Sequence, residues 1–183
     1  MAKWTVSNLV VSADIKVKIP LERLVIEFPN VEYNPDQFPG AIWRLEDPPS
    51  TMLIFNSGKV IITGSKSFDQ ARKSVEELRK YLKKINVDTP KDYELVVQNI
   101  VINGSFEYSN IDLTKMVLEL DFVQYDPEQF PGAIVKYPPI EGNTTFLVFR
   151  TGKFVCTGAK SIEDAEAVIK DFEKKIISKY AKK

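Results

Sequence analysis

Hydrophobic positions recur every second residue along most of this chain, and two long stretches switch to a helical period. In TMLIF (51–55), Met52 and Ile54 fall on one side while Leu53 and Phe55 fall on the other. KVIITG (59–64) sets Val60 and Ile62 against Ile61 and Thr63, and SNLVV (7–11) sets Leu9 and Val11 against Asn8 and Val10. These runs predict strands, as do KWTVSNLVVSADI (3–15), VEYNP (31–35) and AIWRL (41–45). Ser57-Gly58 supplies a tight hairpin turn. Pro20 suits the first turn of a short helix over 20–28, where its missing N–H costs nothing. Ser67, followed by Gln70, reads as a capping box. It opens a long helix with Phe68, Ala71, Val75, Leu78, Leu82 and Ile85 as one apolar stripe.

The same order then returns. ELVVQNIVINGSF (94–106) predicts a strand, Asp112 caps LTKMVLEL, and AIVKY, TFLVF and KFVCTG predict further strands. Ser161 caps a helix with Ile162, Ala165, Val168, Ile169, Phe172 and Ile176 facing inward. The repetition extends to residue identity. SNLV (7–10) returns as QNIV (98–101), YNPDQFPGAI (33–42) as YDPEQFPGAI (125–134), and FNSGKVIITGSKS (55–67) as FRTGKFVCTGAKS (149–161). Two copies of one unit are expected, residues 1–92 and 93–183, joined at NVDTPKDY (86–93) and docked about a pseudo-twofold axis. Each copy is a strand, a short helix, further strands and a long helix, an α/β (α+β) organisation. A ligand spanning both copies should look alike from either end.

One face of the predicted strands is apolar and lies beneath the helices. The other is apolar too, yet carries the short polar groups Asn8, Thr63, Asn99 and Thr157. With about two helices per copy, nothing in the chain covers that second face. It reads as a binding surface, or as the inner side of a sandwich of two packed sheets.

Composition narrows the chemistry. The 183 residues carry 25 Lys and Arg against 25 Asp and Glu, so no general polycation is present, although a locally basic rim remains available for nucleic acid. The absence of histidine removes imidazole bases and His-containing zinc sites. A single cysteine, Cys156, rules out an intramolecular disulfide and fits a reducing compartment. The start MAKWTVSN has no signal-like core and no run approaches a membrane span, so a soluble intracellular protein without cofactor is expected.

The paired motifs N-[LI]-V, Y-[ND]-P-x-Q-F-P-G-A-I and F-x-[ST]-G-K-x-x-x-T-G-[SA]-K resemble the TATA-box-binding protein family, general transcription factors of archaea and eukaryotes. FPG in both copies gives the chain an archaeal look. The resemblance covers nearly the whole length and implies a saddle: one curved antiparallel sheet with helices on the convex face and A·T-rich promoter DNA on the concave one. It implies that Asn8, Asn99, Thr63 and Thr157 donate to minor-groove acceptors near the centre. A·T pairs offer only acceptors there, whereas guanine adds an amino donor. Val10, Leu53, Ile61, Val101, Leu147 and Val155 would press on sugars and base edges. Phe38 with Phe55, and Phe130 with Phe149, correspond to two wedges inserted at base steps. Arg44, Lys59, Lys66, Lys136, Lys153 and Lys160 would meet phosphates. Transcription factor B is the implied partner of the second stirrup loop, through Asp126 and Glu128, with RNA polymerase recruited indirectly. That loop has the acidic positions without the leucine of the family's Glu-Leu pair. The implied location is the cytoplasm at the nucleoid, or the nucleus in a eukaryote.

Other classes fit less well. Asp126 and Glu128 lie on a Pro-containing loop with no second catalytic group, and TGSKS and TGAKS lack the glycine spacing of a phosphate loop. A nucleic-acid-binding module or protein scaffold of the same fold, without promoter specificity, is the alternative. The basic run Arg72, Lys73, Arg79, Lys80, Lys83 and Lys84 reads as a solvated helix face, and the second long helix begins instead with Glu163, Asp164 and Glu166.

Overall fold

The computed structural model describes residues 1–182. The elements run β1 (Lys3–Asp14), α1 (Leu21–Glu27), β2 (Val31–Glu32), β3 (Ala41–Glu46), β4 (Pro49–Ile54), β5 (Lys59–Ser65) and α2 (Phe68–Lys84). The series then repeats as β6 (Glu94–Ser105), α3 (Leu113–Glu119), β7 (Val123–Gln124), β8 (Ala133–Tyr137), β9 (Thr144–Val148), β10 (Lys153–Ala159) and α4 (Ile162–Phe172). This is a mixed α/β protein with one antiparallel ten-strand sheet, ordered β2-β3-β4-β5-β1-β6-β10-β9-β8-β7. Two compact units emerge: the first is Asn8–Gln98, and the second combines Met1–Ser7 with Asn99 onward. β1 and β6 therefore each contribute to both units. No helix among the described residues is long and apolar enough to cross a membrane.

In the first unit, α2 packs on β4 and β5. Ala71, Val75, Leu78 and Leu82 are fully buried over Met52, Ile54, Val60 and Ile62, and each large aliphatic side chain among them contributes about 1.5–3 kcal/mol by leaving water. Ser67 Oγ accepts the Gln70 N–H at 3.2 Å, and the Gln70 side chain accepts from Lys66 N at 3.1 Å. The reciprocal bond thus lands one residue before the cap. Pro20 sits at the cap of α1 rather than inside its first turn. At the far side of this core, Trp43 stacks on Tyr81 at 4.5 Å and Tyr81 on Phe28 at 4.3 Å.

The second unit has an aromatic core. Phe146 stacks on Phe172 at 4.3 Å and Phe106 on Phe154 at 4.2 Å. Gly104 makes room for this packing, since a Cβ there would lie 2.6 Å from the Phe154 ring. Four predicted inward positions, Phe68, Ile162, Val168 and Ile176, differ in the structure. Phe68 and Ile162, the first residues of their helices, are exposed, and Val168 is half-buried. After α4 the backbone makes a π turn, Glu173–Ile177. Its wider coil takes up one extra residue and advances the inward stripe, so Ile177 is buried and Ile176 only half-buried. The turn also buries Glu173, whose carboxylate accepts the N–H groups of Ala2 and Glu107 at 3.1 and 3.0 Å.

Candidate nucleic-acid interface

Each unit leaves one face of its strands without helices, and strand register sets what lines it. In the first unit Ile42, Leu53, Ile61 and Ser12 form one cross-strand row, and Arg44, Thr51 and Thr63 form the next. In the second unit the rows are Ile134, Leu147, Val155, Asn103 and Lys136, Thr145, Thr157, Val101. Thirteen of the fourteen sequence-predicted base-contacting residues are half-buried, and Phe130 is exposed, so none belongs to a core. Asn8, Val10, Leu53, Phe55, Ile61, Thr63 and Phe38 gather in the first unit, and Asn99, Val101, Leu147, Phe149, Val155, Thr157 and Phe130 in the second. Ile42, Ile134, Thr51, Thr145, Ser12 and Asn103 share these rows and were not singled out from the sequence. Alternation around buried Ala41, Trp43, Ala133 and Val135 was the available signal for the two isoleucines.

A backbone irregularity shapes each polar cluster. Along β1 and β5 the register runs from Leu9↔Ser65 to Val11↔Ile62, so one extra residue is accommodated on β5. Gly64 takes it up with φ 92°, a conformation that glycine adopts without steric cost. The bulge releases the Gly64 N–H from the ladder, and Asn8 Oδ1 accepts it at 2.7 Å. Gly158, at φ 103°, repeats the device, and its N–H is accepted by Asn99 Oδ1 at 2.8 Å. A backbone N–H can only donate, so the carboxamide oxygen must face it. Nδ2 is thereby turned toward the neighbouring threonine, at 3.2 Å from Thr63 Oγ1 and 3.0 Å from Thr157 Oγ1. An amide has two hydrogens, and only one is used in this bond. Each cluster can therefore present a donor from a field of aliphatic side chains.

The phenylalanines form pairs. Phe38 and Phe55 have ring centroids 5.8 Å apart with planes at 60°, and Phe130 and Phe149 are 5.9 Å apart at 67°. The glycine of each FPG motif makes this possible. A Cβ on Gly40 would lie 2.8 Å from Phe38 and 3.0 Å from Phe55, and one on Gly132 would lie 3.0 and 3.1 Å from its own pair. The loop before each pair closes on itself: Asn34 O accepts from Gln37 and Phe38 N–H, and Asp126 O from Gln129 and Phe130 N–H.

All six predicted phosphate contacts are exposed. Arg44, Lys59, Lys136 and Lys153 point from the open faces by strand alternation, whereas Lys66 and Lys160 follow the ends of β5 and β10. Arg44 is 3.3 Å from Glu32, an exposed pair of small energetic weight. Asp126 and Glu128 are exposed in their loop. The Asp126 carboxylate accepts the Glu128 N–H at 3.2 Å, which helps to shape the loop as well as to charge it. Cys156 lies on the buried face, where desolvation pushes its thiol up to about 12 and keeps it protonated and unreactive.

The sequence matches the family described as "Transcription factor TFIID (or TATA-binding protein, TBP)" twice, over residues 3–85 and 94–179. It is 41% identical to the TATA-box-binding protein of Picrophilus torridus over 93% of this chain and 92% of that protein. It is 40% identical to that of Pyrobaculum neutrophilum, with 91% and 83% covered, and 39% identical to that of Thermococcus kodakarensis, with 92% and 87% covered. Among solved structures, the Methanococcus jannaschii TBP superposes with a TM-score of 0.85 at 36% identity, covering 93% of this chain and 95% of that one.

Proposed function

The chain belongs to the TATA-binding protein (transcription factor TFIID) family, a family of transcription factors and not of enzymes, and from that premise we propose that its open faces bind the minor groove of A·T-rich promoter DNA. The observation that carries this reading is the pair of oriented carboxamides. With Oδ1 turned to the Gly64 or Gly158 N–H and also near the Thr63 or Thr157 hydroxyl, at 3.5 and 3.2 Å, Asn8 and Asn99 each keep one amide hydrogen to offer outward. Adenine N3 and thymine O2 accept; the guanine amino group would meet a donor and the methyl groups of Val10, Ile61, Val101 and Val155. Apolar rows displace water along the groove while Lys59, Lys66, Lys136, Lys153, Lys160 and Arg44 supply the sequence-independent attraction to phosphates.

The two phenylalanine pairs act as wedges that open base steps and bend the duplex. The TATA-binding protein is itself the type case of this mode, so the kinking rests on family likeness rather than on ring geometry. Unstacking costs a few kcal/mol per step, offset by contacts that a bent duplex makes along the apolar rows. The assembled complex would nucleate transcription initiation, with transcription factor B meeting Asp126 and Glu128 and RNA polymerase following; the setting is the cytoplasm at the nucleoid. A mobility-shift comparison of an A·T-rich box with a G·C duplex of equal length tests the reading. Preferential retention of the A·T duplex is expected, and equal affinity for both would overturn it.

A further inference from the structure

The hairpin ends of the two open faces are built alike but charged differently. Lys59 and Lys153 occupy the same position after their hairpin turns. In the antiparallel ladder Lys59 lies directly across from Asp14, whereas Lys153 lies across from Ser105. Beside Phe55 is a hollow of about 440 Å³ lined by Asp14, Lys59 and Glu94 together with Ser12, Ile61 and Val96. Beside Phe149 is one of about 530 Å³ lined by Lys153 and Arg150 with Asn103, Val155 and Pro131. The position equivalent to Arg150 is Asn56, whose amide donates to Ile19 O at 3.1 Å. The position equivalent to Glu94 is Lys3, which is exposed. Lys59 thus shares its hollow with two carboxylates in the first unit, while Ser105 and Lys3 stand at the positions equivalent to those carboxylates in the second.

We propose that the two units grip the DNA backbone unequally: Arg150 and Lys153 anchor one end, while Asp14 and Glu94 offset Lys59 and leave the Phe55 end weakly held. The proposal rests on the minor-groove reading above and assigns a role to two acidic side chains within that surface. A cross-strand neighbour is within reach of a lysine ammonium, so Asp14 competes with phosphate for Lys59. Its repulsion of the approaching phosphates adds to this, over roughly 8 Å at physiological ionic strength. Both effects fade as salt rises, so the Phe55 end loses less of its attraction to salt than the Arg150–Lys153 end does.

The test is a cycle of charge-neutralising variants titrated with an A·T-rich duplex between about 0.05 and 0.3 M salt, the range where counterion release dominates. Lys153→Gln should weaken binding roughly eightfold at about 0.1 M salt and flatten the salt slope by about 0.9, the expectation for one phosphate contact. Lys59→Gln in the parent should cost less than about twofold, because that contact is already compensated. In an Asp14→Asn, Glu94→Gln background, affinity should rise and Lys59→Gln should acquire a cost approaching that of Lys153→Gln. The carboxamide introduced by Asp14→Asn keeps an oxygen for the Lys16 N–H, which Asp14 accepts at 2.9 Å, so the strand end is preserved, and thermal melting checks this. Equal losses from Lys59→Gln and Lys153→Gln in the parent overturn the proposal and leave minor-groove binding intact. A parent that binds A·T and G·C duplexes equally overturns the minor-groove reading, and the proposal with it.

Discussion

At positions made equivalent by the repeat, Ile15, Met52, Val60 and Leu78 of the first unit become Phe106, Phe146, Phe154 and Phe172 of the second, and all eight are buried. The exchange also runs the other way. Trp43, Phe28 and Tyr81, which stack together in the first unit, become Val135, Leu120 and Lys175. Aromatic mass has moved from one side of the core to the other while the backbone scheme is unchanged. The open faces behave differently. Asn8 and Asn99, Thr63 and Thr157, Gly64 and Gly158, and both phenylalanine pairs keep their identity. A core needs matched volume and tolerates many ways of reaching it. A surface that must place an amide hydrogen or a ring at one point tolerates few.

The largest test of that contrast is Phe172→Ala. The ring stacks on Phe146 and lies tilted against Phe106 and Tyr137, so its loss should cost about 3–5 kcal/mol in chemical denaturation. A cost below about 1 kcal/mol would mean the second core is not organised around this ring. Next comes Asn99→Asp. Its carboxylate can still accept the Gly158 N–H, so melting should change little, yet it places an anion against minor-groove acceptors. Affinity for an A·T box should fall more than about tenfold, or 1.4 kcal/mol. Asn8→Asp should match it, and a much smaller loss would break the equivalence of the two clusters.

Phe55→Ala and Phe149→Ala each remove one ring from a pair. End-to-end fluorescence transfer on a labelled duplex should show a reduced bend for each and a further reduction for both together; an unchanged bend in all three would assign the rings to packing. Asp126→Lys with Glu128→Lys should leave binary DNA binding intact or slightly stronger and weaken the ternary complex with transcription factor B, less so at high salt. Gel shifts run with and without the partner separate the two effects. Normal recruitment at low salt would remove this loop from the interface.

The smallest effect concerns acid stability of the second unit. The Tyr137 hydroxyl donates to Asp171 at 2.5 Å and Lys175 pairs with it at 2.9 Å, holding the carboxyl below its ordinary value of 3.8. The equivalent of Tyr137 in the first unit is Leu45, which has no hydroxyl to donate. A depressed carboxyl contributes stability above its unfolded value and loses it as pH falls through the folded one. Asp171→Asn should therefore lower the denaturation midpoint at neutral pH and converge with the parent at acid pH. A constant difference across that range would exclude the ionised carboxylate as the cause.

Much of this was legible in the chain alone. Alternation assigned Met52, Ile54, Val60 and Ile62 to the covered face and Leu53, Ile61 and Thr63 to the open one, because a strand's side-chain period is two wherever it pairs. Repetition marked Asn8 and Asn99 as equivalent before any geometry was known. Local pattern did not reveal the π turn that replaces Ile176 with Ile177, where Glu173 accepts the Glu107 N–H from far away in sequence. Nor did it reveal the direction of the two carboxamides, which depends on an N–H released by a bulge more than fifty residues away in sequence, Gly64 for Asn8 and Gly158 for Asn99. The pairing of Asp14 with Lys59 against Ser105 with Lys153 is of the same kind. Periodicity determines which side of a strand a residue occupies. Only register between strands decides which residue stands across from it, and here it sets Asp14 opposite Lys59 but Ser105 opposite Lys153.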